Sequence, residues 1–518
     1  MVSKIKTATI IGLESYEVTV KTDINLGVPA FLIVGLPDIA VNEAKERVRS
    51  AIKNSSCTFP TKKIVVNLAP ADVKKEGSSY DLPIAIGILA QDGIIDSREV
   101  ENYVFIGELS LDGTLKPVNG VLPMIAGFKK LGFHNVILPD DNKKEASLIP
   151  DINVFPANSL TEVIAHFAKD DTCKRIKPVK TSISSVMESV NSAEYEFDFK
   201  DVKGQFKAKK ALEIAAAGGH NILLSGPPGS GKTLLSKCFA SILPPLELEE
   251  ALEISKIYSI AGLLDKNSPI INKRPFRVVH HSASAIGILG GGSSPKPGEI
   301  TLAHRGVLFL DEIVEFPRAV LEVLRQPLED GSVSISRAKM AVKYPADFML
   351  LASMNPCPCG YLGDSQKQCT CSEYQIQRYR ARLSGPLLDR IDMQITVPRL
   401  TSDELMNNKV VAESSADIRA RVISARNIQI ERYKDYGIFT NSELTPKLVK
   451  KFCQIDEASA QILKTAVQKF NLSGRSYDRV LKLSRTIADL EGHHNIQASD
   501  IALCLQFRSF VCEDSTTV

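Results

Sequence analysis

Apolar positions recur along this chain with two different periods, and the period shifts by region. Between positions 17 and 23, Val18, Val20 and Thr22 alternate with Thr19 and Lys21, which predicts a strand of edge type. Across 40–54, Val41, Ala44, Val48, Ala51 and Ile52 fall on one helical face, with Lys45, Arg47 and Arg49 elsewhere. Runs at 64–68, 104–106 and 136–138 predict buried strands, and 82–91 and 121–131 predict helices. Residues 1–169 are therefore expected to form an α+β domain. Periodicity lapses after position 169, where Lys174, Arg175, Lys177, Pro178 and Lys180 precede a serine-rich stretch, so 170–197 is expected to be a linker. Segment 198–400 carries short apolar runs at 221–225, 306–310 and 348–353, of the kind buried on both faces of a parallel sheet. From Thr401 to the end helical spacing dominates, at 416–433, 445–454, 458–470, 476–491 and 498–507, which predicts a helical lid over 401–518. Thr401 and Glu404 have the spacing of a capping box, and Ser499–Asp500 reads as a helix start. The fold class expected is a multidomain α/β chain.

Composition narrows the classes. At 518 residues the chain is too long for one core, and the usual scaling gives about three domains. A net charge of +3 does not by itself demand a polyanionic partner, so any basic surface must be local. No apolar stretch approaches the ~20 residues needed to span a bilayer, and the N-terminus lacks a signal-peptide core. A cytoplasmic protein with no membrane partner is expected. Ten cysteines in a reducing compartment argue against a disulfide framework.

The strongest chemical signal is Gly226, Pro227, Pro228, Gly229, Ser230, Gly231, Lys232 and Thr233, an apolar strand running into a glycine turn and then a helix-compatible segment. Glycines let successive N–H groups curl towards phosphate oxygens, and the following helix presents its positive end to them. Lys232 would reach the β- and γ-phosphates of ATP, and Thr233 would offer its hydroxyl to Mg²⁺. Downstream, the apolar run at 306–310 ends in Asp311 and Glu312. Asp311 is expected to hold the Mg²⁺ shell and Glu312 to orient or deprotonate the attacking water. Asn355, after the next apolar strand, can hold the same water. Arg390, if directed at a neighbouring subunit's γ-phosphate, would neutralise transition-state charge only once subunits assemble, so hydrolysis would require a ring.

Two further patterns stand apart. Cys357, Cys359, Cys369 and Cys371 form C-x-C-x9-C-x-C, four thiols able to close a tetrahedral structural Zn²⁺ shell with no position left for catalysis. The stretch 329–343 reads as a hairpin with Arg337 and Lys339 near its tip. Lys296, between two prolines, is a second candidate contact for a polyanion. His280 and His281 are assigned no ligand role.

Several stretches carry family resemblances. The run from Pro70 to Ile84, and Gly107 to Gly113 followed by Pro117, resemble the domain shared by Lon proteases and ribosomal protein S5. At the place of Lon's catalytic serine stands Asp81, and at that of its lysine Leu122 or Pro123, so the proteolytic dyad is missing and a scaffold role is implied. Ser78 and Ser79 lie nearby. The segment from Phe199 to Gln205 resembles the adenine-pocket region of AAA+ ATPases, which implies that role for Asp201 and Val202. The stretches at 274–284, 290–300, 302–306 and 355–360 look like the ComM/YifB family of magnesium-chelatase-like AAA+ proteins, and the similarity covers essentially the whole chain. The resemblance implies a hexameric helicase that acts on single-stranded and branched DNA, drives branch migration in natural transformation, and works beside recombination proteins. In related replicative helicases the hairpin enters the ring pore, where six copies would present roughly a dozen cations to phosphates. The family pattern also implies a second sensor arginine in the lid, for which Arg475 is chosen over Arg479. Other classes left open are the motor subunit of a metal-chelatase complex and an ATP-dependent remodelling chaperone or protease.

Overall fold

The alternation in the first strands builds a sheet covered on one face, and the wholly apolar runs downstream build a sheet covered on both. The computed structural model describes residues 2–168, 175–179, 195–265, 267–292, 295–337, 340–401, 404, 412–470 and 472–508, with the side chains of 336, 337 and 340 excluded. The chain divides into two units, Met1–Ser192 with Glu247–Asn272, and Ala193–Leu246 with Lys273–Val518.

In the first unit, β1 (Ser3–Ile11), β2 (Glu14–Asn25), β3 (Ala30–Val34), β4 (Lys63–Ala69), β5 (Val104–Phe105), β6 (Asn135–Pro139) and β7 (Asn153–Ala157) form a mixed seven-stranded sheet in the order β3-β4-β2-β1-β5-β6-β7. β2 pairs antiparallel with both β1 and β4, so it is an interior strand and the edge-type expectation is corrected. Val18, Val20 and Thr22 are buried while Thr19 and Lys21 are partly exposed, so the alternation reports that one face is covered, not where the strand lies in the sheet. Helix α1 (Ile39–Asn54) is capped by Asp38, which accepts from Val41 N at 2.8 Å, and buries the five apolar residues its spacing singled out. Helices α2 (Asp81–Gln91) and α3 (Val121–Lys130) complete the cover.

A later helix, Leu248–Ala261, belongs to this same unit. Its N-terminus carries a capping box made by Glu247 and Glu250, and Gly120 N donates to Ser259 O at 3.1 Å. The Ser259 hydroxyl donates to the buried Glu145 carboxylate, which also accepts from Leu122 N at 2.9 Å. Burial raises the Glu145 pKa above the ordinary carboxylate value, with these donors opposing it. Of the expected linker, Val179 N donates to Val154 O on β7 at 2.8 Å. Residues 169–174 and 180–194 lie outside the described residues.

At the head of α2, Asp81 is fully buried and taken up by Arg47, Nε to Oδ2 at 2.6 Å and Nη2 to Oδ1 at 3.0 Å, with Leu109 N donating at 3.2 Å. Leu122 is fully buried at the head of α3, with Pro123 beside it.

The second unit is built on five parallel strands: β8 (Ile222–Ser225), β9 (Phe276–Val279), β10 (Val307–Leu310), β13 (Met349–Met354) and β14 (Met393–Thr396), in the order β9-β10-β13-β8-β14. The antiparallel strands β11 (Ser332–Arg337) and β12 (Met340–Pro345) form a hairpin outside this sheet. Helices α4 (Phe206–Gly218) and α5 (Lys232–Phe239) flank β8. The C-terminal helices α6 (Ser415–Tyr433), α7 (Glu457–Phe470), α8 (Gly474–Glu491) and α9 (Ala498–Gln506) share one core with the sheet, in which Leu224, Phe309 and Leu351 meet Val422, Leu463, Val480 and Ile501. Thr401 and Glu404 make the reciprocal bonds of the expected capping box, at 2.8 and 3.3 Å. No helix among the described residues is long and apolar enough to cross a membrane.

Candidate functional site

The central strand β8 has two chemically different ends. Its carboxyl end runs through Ser225 into the glycine turn, held by Val397 N donating to Ser225 O at 2.7 Å and Gly226 N donating to Met354 O at 3.2 Å. A Cβ at Gly226 would stand 2.2 Å from Val397 O, so only glycine allows this approach. Gly229 (φ 77°) and Gly231 (φ 91°) are left-handed, which turns the chain into α5 at Lys232. The first N–H groups of that helix face the turn.

Lys232 Nζ donates to Gly226 O at 2.6 Å and Pro227 O at 3.0 Å, and lies 3.4 Å from Asn355 Oδ1. Burial lowers its pKa below the ordinary lysine value, and the carboxylates of Asp311 and Glu312 oppose that shift. Thr233 Oγ1 lies 3.4 Å from Asp311 Oδ2. Asp311 Oδ1 accepts from the Ser353 hydroxyl, whose oxygen accepts from Glu312 N at 3.2 Å. Glu312 has a left-handed backbone (φ 52°), strained for a residue with a side chain, two residues past the end of β10. The structure thus brings Lys232, Thr233, Asp311, Glu312 and Asn355 to one edge of the sheet. Such a group can cradle a polyphosphate, hold a hard cation and present a base to water.

Three side chains here escaped the sequence reading. Ser353 ties the two acids together. Gln205, itself left-handed (φ 54°), donates from its amide to Ser230 O at 3.2 Å and Pro398 O at 2.7 Å, pinning the glycine turn to the chain after β14. Arg399 donates to Pro228 O at 3.4 Å and pairs with Asp364 at 3.1 Å. A polar residue bonding across the sequence leaves no local spacing to detect. Asp201 closes a 3₁₀ turn, Phe199–Asp201, and is exposed, while Val202 is buried; Lys209 donates to the carbonyls of Phe199 and Val202.

The amino end of β8 holds a second group. Asn221 Nδ2 donates to Arg390 O at 2.9 Å and Asn221 N donates to Asp392 Oδ2 at 3.0 Å. A four-residue strand spans roughly 13 Å, which sets the scale of the separation between the Arg390 backbone and the glycine turn. Arg390 donates from Nε to Arg325 O at 3.0 Å, from Nη1 to Pro386 O at 2.7 Å and from Nη2 to Glu329, leaving its side chain 10% exposed. Arg475 lies 3.8 Å from the other oxygen of Glu329 and is 69% exposed, whereas Arg479 stands 3.7 Å from Asp392. Arg390, Arg475, Arg479 and Lys482 line one cavity of about 610 Å³, which no residue of the glycine turn touches. Both candidate arginines are therefore remote from Lys232 of their own chain.

The hairpin has the expected antiparallel pairing, Ile335 opposite Val342 and Val333 opposite Tyr344. Those four side chains are buried, and Tyr344 Oη donates to Pro295 O at 2.7 Å, which seats the hairpin on the loop bearing the exposed Lys296. Lys339 lies outside the described residues, and Arg337 is described in its backbone alone.

The four cysteines converge. Cys357 Sγ lies 3.4 Å from Cys359 Sγ and 3.7 Å from Cys369 Sγ, Cys359 and Cys369 are 3.6 Å apart, and all four sulfurs lie within 4.8 Å of one another. Two metal–sulfur bonds of ~2.3 Å at the tetrahedral angle span about 3.8 Å, so the spacing suits a single Zn²⁺. Backbone N–H groups of Tyr361 and Thr370 hold the Cys359 thiol down to about 5, whereas burial raises that of Cys357.

Known proteins give a consistent picture. Family models described as magnesium chelatase subunit ChlI, subunit ChlI of Mg-chelatase, and magnesium chelatase subunit ChlI C-terminal match residues 198–405, 20–142 and 412–508. The chain is 42% identical over 500 residues to competence protein ComM of Haemophilus influenzae, covering 96% of each. It is 40% identical over 511 residues to YifB of Escherichia coli K12, covering 98% of this chain and 97% of that one. A magnesium-chelatase subunit ChlI homolog of Methanocaldococcus jannaschii is 23% identical over 312 residues, 55% of this chain and 81% of that protein.

Proposed function

The chain belongs to the ComM/YifB family of magnesium-chelatase-like AAA+ ATPases, and on that premise we propose that it is a hexameric DNA translocase that drives branch migration during DNA integration in natural transformation. The observation that carries this reading is the separation of the site into halves. Lys232, Thr233, Asp311 and Glu312 gather at the carboxyl end of β8, while Arg390 is bonded through its carbonyl to the amino end. An arginine placed there serves a phosphate on the next subunit, so the ring itself is the catalytic unit.

Within one protomer the backbone of 226–231 and Lys232 bind the phosphates of ATP, and Asp201 and Val202 border the base. Thr233 and Asp311 are the groups that would hold Mg²⁺, which would supply neutralisation of phosphate charge. Ser353 fixes the rotamer of Asp311. Glu312 accepts the proton of the attacking water while Asn355 positions it, and Arg390 with Arg475 of the adjacent subunit stabilises the charge that develops. The four cysteines fit a structural Zn²⁺ that braces 357–371. Arg337, Lys339 and Lys296 are assigned to the phosphates of single-stranded and branched DNA, without sequence preference. Residues 1–169 serve as a Lon/S5-like scaffold in which Asp81, locked by Arg47, offers no nucleophile. A cytoplasmic location and recombination proteins as partners complete the proposal.

The test is strand displacement and junction migration with the wild-type protein and Glu312→Gln, together with DNA-stimulated ATPase. Stimulation that vanishes in Arg337→Ala plus Lys339→Ala supports the DNA motor. The match to three ChlI models also favours a second reading, the motor subunit of a chelatase. Turnover dependent on a porphyrin and insensitive to DNA would select it.

A further inference from the structure

We propose that Glu329 is a positioning residue that ties the interface arginines to the base of the hairpin, so that taking up a neighbour's phosphate releases the hairpin. The inference rests on the reading of Arg390 as a group acting on the adjacent subunit, and it adds the device that controls it.

The carboxylate of Glu329 faces both arginines, one oxygen accepting from Arg390 Nη2 and the other lying 3.8 Å from Arg475. The carbonyls of Arg325 and Pro386 take two more of its five N–H groups, so each nitrogen of the Arg390 guanidinium has one acceptor inside its own chain. With its side chain only 10% exposed, the guanidinium must turn outward to engage a phosphate outside, and that movement draws it away from these acceptors. The carboxylate is the one carrying charge, and its bond to the arginine is the strongest of the three. A phosphate, with more negative charge, is the ligand able to displace it, and Arg475, already 69% exposed, is available to the same anion.

Glu329 is also joined to the hairpin by a very short path. It lies in the turn Pro327–Asp330, Gly331 N closes that turn on Pro327 O at 2.9 Å, and Ala346 N donates to Gly331 O at 2.8 Å at the hairpin base. Strand β11 starts at the next residue, Ser332. Losing its two arginines frees the side chain that anchors this turn. The two ends of the device are thus a phosphate-responsive pair on the cavity wall and the root of the strand bearing Arg337.

The experiment compares wild type, Glu329→Gln, Glu329→Ala and Glu329→Asp, with two readouts. The first is the labelling rate of Arg390 by phenylglyoxal in the full-length protein without nucleotide, read by mass spectrometry with the exposed Arg98 as internal reference. Labelling of Arg390 relative to Arg98 is expected to rise by about three- to tenfold in Glu329→Gln and Glu329→Ala, the order expected for one charge-assisted bond whose carboxylate is half exposed. Glu329→Asp, which keeps the charge, is expected to restore part of the protection. Equal labelling in wild type and Glu329→Ala overturns the proposal, and this readout does not depend on ATPase activity. The second readout is turnover: DNA-free kcat rises with the KM for ATP unchanged, and the ratio of DNA-stimulated to DNA-free rate falls. A proportional loss of both rates in Glu329→Gln overturns the coupling. Failure of the underlying reading is separate, shown by Arg390→Ala turning over ATP as the wild type does.

Discussion

Gly360 lies against Pro228: a Cβ at position 360 would stand 2.8 Å from the Cδ of that proline, in the middle of the glycine turn. The cysteine loop therefore touches the glycine turn, and Gly360 is left-handed as well (φ 84°). Gly360→Val is expected to push Pro228 aside. Overpacking of this kind costs about 1–3 kcal/mol, so nucleotide affinity should fall by about tenfold, measured by titration with a fluorescent ATP analogue.

The same contact makes metal removal informative. Chelation, or Cys369→Ser plus Cys371→Ser, should release one equivalent of Zn²⁺ and weaken nucleotide binding in the same direction as Gly360→Val. Metal content by plasma emission and affinity by titration, on the same preparation, check it. Cysteine variants that hold no less metal than wild type would refute the site.

Glu312→Gln should bind ATP normally and lose turnover by about a hundredfold or more, the usual contribution of a positioned base. Lys232→Ala should lose binding. Affinity and single-turnover rates distinguish the two.

Arg390→Ala and Lys232→Ala should each be inactive alone, the former by at least about a thousandfold. Mixed in equal amounts, they should regain part of the wild-type rate, because some seams then pair an intact glycine turn with an intact arginine. No recovery in subunit-exchange mixtures would contradict action across a seam.

In the first unit, Asp81→Asn leaves Arg47 facing a neutral amide and should destabilise by about 3–5 kcal/mol. Replacing both partners, Arg47→Met with Asp81→Leu, should cost much less. Denaturant unfolding of the three proteins measures the difference.

Much of this was written locally. The glycine turn and the acid pair need adjacent residues, so their chemistry is legible in short strings, and the helical face of α1 follows from spacing alone. What was not legible depends on contacts between distant parts of the chain. Ser353 supports Asp311 across 42 positions and Gln205 supports Ser230 across 25, so no window contains both partners. Strand Phe276–Val279 differs from the equally short strands at 222–225 and 307–310 in that Arg277 interrupts its apolar run, a side chain that pairs with Glu299 at 2.7 Å. Strand β2 shows the converse limit: its alternation identified the buried face but could not reveal that strands lie on both sides of it.

The helix Leu248–Ala261 sets a rule for dissecting this protein. Because the first unit takes residues from two separate stretches, a fragment ending at residue 192 would be missing part of its own wall. Glu145 would forfeit the hydroxyl of Ser259, and Gly120 N the carbonyl of the same residue. Such a truncation should aggregate or melt early, and any activity it lacks would be uninformative. A faithful excision needs both pieces, joined by an artificial connector or co-expressed.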